Sequence, residues 1–107
     1  MIYITLNPIN FQIDSIWEDG GETYVSVEVA PDLYVDVKYP NYPPEQVIAM
    51  VQADESPYSY PMNNTDGGYV YDMSSQGDSV AEISEDDAWR VVQFVDDELY
   101  TQGEDYL

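Results

Sequence analysis

Glu82-Ile83-Ser84-Glu85-Asp86-Asp87-Ala88-Trp89-Arg90-Val91-Val92-Gln93-Phe94-Val95-Asp96-Asp97-Glu98-Leu99 carries the strongest periodic signal in the chain. Ala88, Val91, Val92, Val95 and Leu99 recur at helical spacing and share one side, which predicts an amphipathic helix. Ser84 is a suitable N-cap, and Asp87 three residues on gives a short form of the capping-box pattern. Glu85, Asp86 and Asp87 fall in the first turn, where the helix dipole favours negative charge. The other end breaks that rule. Asp96, Asp97 and Glu98 occupy the last turn, where each anion costs about 0.3–1 kcal/mol, and no Lys or Arg is there to offset them. Glu85/Asp96, Asp86/Asp97 and Asp87/Glu98 are close to three turns apart, so they fall on common rows about 16–17 Å long.

Working outward, the cleanest strand is residues 22–29, with Val25, Val27 and Val29 on one side and Tyr24, Ser26 and Glu28 on the other. Leu33, Val35, Val37 and Tyr39 form a matching strand, with Asp32, Tyr34, Asp36 and Lys38 outward, and the short connection predicts an antiparallel hairpin. Its outward face carries Glu22, Tyr24, Glu28, Tyr34 and Asp36, a second negative surface. Residues 9–17 alternate as a strand that places Phe11, Ile13, Ser15 and Trp17 together, and Gly20-Gly21 supplies the next turn. Residues 1–6 are a short β-like run. Pro44 opens a helix to about Ala53, with Val47, Ile48 and Val51 on its apolar face. Residues 54–68 read as a long surface loop, 69–73 as a short strand, 74–79 as a polar connection, and 101–107 as a frayed tail. The expected fold is therefore α+β: a small antiparallel sheet of about four strands packed with two helices, the C-terminal one strongly acidic, in a single domain over residues 1–107.

Charge and composition bound the chemistry. The 107 residues hold 22 Asp and Glu against only Lys38 and Arg90, for a formal net charge of −20. That self-repulsion weakens a folded state, most at low salt. Too few cations exist to neutralise phosphates, which argues against contact with bare nucleic acid or an anionic membrane. There is no cysteine for a disulfide or thiolate site and no histidine for a general base or metal ligand. No apolar run of membrane-spanning length and no signal-peptide pattern is present, so the expected location is the cytoplasm. Nucleophilic catalysis lacks its base, and no carboxylate pair stands out in an apolar setting, so no enzyme and no cofactor are expected. Asn63-Asn64-Thr65-Asp66-Gly67-Gly68 hints at a cation loop but fails the EF-hand spacing, because Met62 and Met73 fall where acids are required. Arg90 is expected to pair with Asp86 at i,i+4.

The partner implied is a positively charged nucleic-acid-binding protein or ribonucleoprotein complex, met through carboxylates and exposed Tyr. In composition, and in Glu85-Asp86-Asp87 with Asp96-Asp97-Glu98, the chain resembles the small acidic DNA-mimic inhibitors of phages and mobile elements, of anti-restriction or anti-CRISPR type. The resemblance implies an inhibitor of a DNA-binding host-defence complex. It transfers no residues by motif, so charge geometry nominates the partner-binding set: Glu85, Asp86, Asp87, Asp96, Asp97 and Glu98 on the helix, and Glu28, Asp32, Tyr34 and Asp36 on the hairpin. An immunity or antitoxin protein against a basic nuclease, a halophile-type acidic domain and a cation-binding domain are the competing readings. A homodimer is compatible with all of them.

Overall fold

The computed structural model describes the backbone of residues 2–3, 5–62, 70–75 and 78–107, and side chains within 5–62 and 83–107. The cation-loop sequence at 63–68 lies outside the described residues. Seven strands form one sheet: β1 (Ile2–Tyr3), β2 (Gln12–Asp19), β3 (Glu22–Ala30), β4 (Leu33–Tyr39), β5 (Tyr60–Pro61), β6 (Val70–Ser75) and β7 (Asp78–Ser84). Their order is β1-β7-β6-β4-β3-β2, with β5 also pairing β4. All pairings are antiparallel except β1 with β7, which is parallel. Two helices, α1 (Pro44–Gln52) and the longer α2 (Glu85–Gln102), complete an α+β fold.

The valine alternation sets which face is covered. Val25, Val27 and Val29 of β3 and Val35, Val37 and Tyr39 of β4 are fully buried. They share one core with Val47, Ile48 and Val51 of α1 and with Ala88, Val91, Val92, Val95 and Leu99 of α2. Both helices therefore cover one face of the sheet and leave the other open. The turns take the backbone the sequence permits. Gly20 and Gly21 have φ of 62° and 80°, and Asp32 between β3 and β4 sits at 60°.

Four local expectations are corrected. In β2 the register slips between Ile13 and Ser15, a β-bulge that leaves Asp14 as the extra residue. Ile16, not Ser15, then faces the core, and Trp17 turns outward beside Tyr24. Residues 74–79 are not a plain connection, because β6 runs to Ser75 and β7 starts at Asp78. Part of the expected loop packs tightly: Pro57, Ser59 and Pro61 are buried, and β5 pairs Val37 and Lys38. The tail is not frayed. A 3₁₀ turn over Gly103–Tyr106 continues α2, and Tyr106 packs on the core. Gly103 is buried so closely that a Cβ there would stand 2.6 Å from Ile48 Cγ2.

Candidate functional site

The α2 acids divide by what their oxygens touch. Ser84 caps the helix as expected, its hydroxyl accepting the Asp87 N–H at 3.1 Å. Asp87 itself is 4% exposed. Its Oδ2 accepts the Leu6 N–H at 3.0 Å and its Oδ1 accepts Arg90 Nη1 at 2.9 Å. Arg90 thus pairs with Asp87 at i,i+3, not with Asp86 as expected. Burying Asp87 is tolerated because both oxygens are bonded and the helix N-terminus favours an anion.

Asp96, Asp97 and Glu98 do not form the last turn as expected, because α2 runs on to Gln102. Asp96 is half-buried and accepts a hydrogen bond from the hydroxyl of Tyr39, a fully buried core residue. Burial pushes the Asp96 carboxyl above its ordinary 3.8, the Tyr39 bond opposes this, and Asp97 adds to it. The Tyr39 phenol is driven well above its ordinary value, first by burial and then by Asp96. Glu98 accepts from the Tyr106 hydroxyl at 3.2 Å. Asp97 is exposed and accepts from Gln93 Nε2 at 2.9 Å. Asp87 and Asp96 are therefore fold-bearing, and of the six only Asp86 and Asp97 are exposed, with Glu85 and Glu98 half-covered. The Asp86/Asp97 row also carries Arg90 and Gln93, so it is not a continuous line of carboxylates.

A carboxyl group that holds its proton more tightly in the folded state contributes stability fully below its unfolded value, and that contribution is lost as pH rises through the folded value. Asp96 and Asp36 are both raised by burial. The melting temperature is therefore expected to climb as pH falls from neutrality toward the ordinary Asp value of 3.8, helped by the shrinking net charge. Asp96→Asn should make that climb shallower; thermal melts showing equal slopes would assign the effect elsewhere.

The open face of the sheet holds the other candidates together. Glu28 accepts from the Tyr34 hydroxyl at 3.2 Å and from Gln12 Nε2 at 3.3 Å. Tyr34 is pushed above its ordinary 10.0 by desolvation first, then by its bond to Glu28 and by the charges of Glu28, Asp14 and Asp32. Asp36, half-buried beside Ser26, is raised by burial while the Ser26 bond opposes it. Toward the opposite end of the strands Trp17 stacks on Tyr24 with centroids 5.5 Å apart and planes 13° apart. Lys38 lies 5.4 Å over the Tyr24 ring and 3.4 Å from Glu22. The β3–β4 pairing puts Glu28, Tyr34 and Asp36 on one face, as the valine alternation implies, while Asp32 sits in the turn before β4 at φ 60°; Asp14 and Trp17 were outside the nominated set. The three-residue step from Ile13 to Ile16 was the available sign of the bulge.

This face and the exposed flank of α2 lie on opposite sides of the molecule, because α2 packs on the covered face. Asp54, Asp96 and Asp97 line a cleft of about 290 Å³ between the helices. Among the described residues no three acidic side chains converge as a metal cage, and no helix is long and apolar enough to cross a membrane. Comparison with protein families, curated proteins and solved structures found no match to this chain.

Proposed function

We propose that this chain is an acidic binding module that occupies a basic nucleic-acid-binding protein or ribonucleoprotein complex in place of its nucleic acid, and so inhibits it. The observation that carries this reading is the open sheet face, where Glu28 lies opposite Tyr34 and accepts its hydroxyl, Asp36 follows two residues along β4, and Asp14 and Asp32 add their charge to the same phenol. Lys38 is the one cation on that face and already pairs with Glu22, while Arg90 pairs with Asp87. Neither cation is free to quench the field of the acids. Arg and Lys of a nucleic-acid channel would meet carboxylates where they otherwise meet phosphates, with Arg suited to two-pronged pairing. Attraction of this kind speeds encounter and fixes orientation, and it weakens with salt. Asp86 and Asp97, with Glu85 and Glu98, offer a smaller contact on the far side.

The test is a pull-down from bacterial lysate washed with stepwise salt. A large nucleic-acid-binding protein is expected, released by salt or by competing DNA; recovery of a small basic nuclease alone would favour an immunity protein. At residue level, Asp14→Asn with Glu28→Gln and Asp32→Asn is expected to weaken competition with nucleic acid by about threefold to a hundredfold, at roughly 0.2–1 kcal/mol per exposed pair. The matching helix variant, Asp97→Asn with Glu98→Gln, is expected to change it less. The reverse ranking would move the contact to α2.

A further inference from the structure

Strand β2 ends the sheet. Its only strand partner is β3, and among the described residues no other backbone group bonds to residues 12–19. Alternate N–H and C=O groups along that edge therefore face solvent, a ready template for another extended chain. Natural edges are guarded against self-pairing, and this one carries the usual guards: the bulge at Asp14 and the charges of Asp14, Glu18 and Asp19. Those charges are all of one sign. A second copy of this chain would set its own acids against them, whereas a cationic strand would find complementary partners.

Beyond the bulge the edge is also shaped. Ile16 and Trp17 line a cleft of about 490 Å³ together with Pro43, Pro44 and Tyr106, and Glu18 and Glu45 contribute its acidic groups. Trp17 is 39% exposed although it stacks on Tyr24. Side chains of an added strand alternate between the two sheet faces. One row would enter the cleft beside Ile16, and the other would cross the Trp17 ring, whose face attracts cations.

Resting on the basic-partner reading above, we infer that residues 15–19 of β2 take an extended segment of that partner by strand addition, a segment that alternates Lys or Arg with apolar residues. Main-chain bonds supply the docking, and the acids select its charge. The carboxylates of the open face then hold the partner's groove next to the docked strand.

A nine-residue peptide alternating Lys and Val is the probe, with two isomers N-methylated on alternate amides, at either all Lys or all Val. Charge is the same in all three. One isomer is expected to lose about tenfold or more in affinity, because its blocked amides face β2, while the other binds like the parent. Amides within residues 15–19 should gain protection from hydrogen exchange with the parent peptide, and Trp17→Ala should weaken binding about threefold. Equal binding of all three peptides, or protection confined to other strands, overturns strand addition. Loss of peptide docking while the lysate partner is still captured would sink the edge and leave the inhibitor reading standing; docking without any basic partner in the lysate would do the opposite.

Discussion

Tyr39→Ala is expected to cost about 3–5 kcal/mol, as large aromatic truncations in close-packed cores do. Tyr39 is fully buried at the end of β4 and joins the sheet to α2 through Asp96. Against a typical total stability of roughly 5–15 kcal/mol, that loss would leave a marginal fold. Tyr39→Phe keeps the ring and removes only the bond to Asp96, so about 1–2 kcal/mol is expected. In an Asp96→Asn background the same change should cost less, since the charged acceptor is already gone. Urea unfolding of these five chains, the parent included, measures this directly. An Ala variant within about 1 kcal/mol of the parent would mean that Tyr39 does not anchor the helix layer.

Asp87→Ala should be the second large loss, and the informative contrast is its neighbour. Removing the Asp87 carboxylate strands the Leu6 N–H and discards a favourable charge at the start of α2, together about 1.5–4 kcal/mol. Asp86→Ala removes an equal charge one residue earlier, but that side chain is exposed and the chain is already strongly anionic. Its effect should stay within about 0.5 kcal/mol of zero. Two melts under one set of conditions suffice. Equal losses at the two positions would point to the dipole alone.

The parts of the fold legible in the sequence are those where one residue type repeats against one environment. Val25, Val27 and Val29 announce a one-sided strand, and Ala88 through Leu99 announce the covered side of α2. Strand β7 gave no such signal. Asp78, Ser79, Glu82 and Ser84 are polar, and the segment is a strand because it has β6 on one side and β1 on the other. Residues 54–62 have the Pro and Ser content of a loop, yet Pro57, Ser59 and Pro61 are buried, which only their three-dimensional neighbours decide. The acids illustrate the same limit. Asp86 and Asp87 look alike in a run of charge, and a backbone N–H from the start of the chain is what distinguishes them. The hairpin acids were easier, since a strand with Val25 and Val27 inward must turn Ser26 and Glu28 outward.

The tie between the two ends of the chain has a kinetic consequence. Ile2 and Tyr3 pair with Ala81 and Glu82, and the Leu6–Asp87 bond spans 81 positions. The β2–β3–β4 meander needs only short turns and closes in roughly microseconds. During synthesis Leu6 must wait for Asp87, about 4–16 s later at ribosomal speeds of about 5–20 residues per second. During synthesis β1 therefore stays unpaired until β7 and the start of α2 have been made, long after the meander can close.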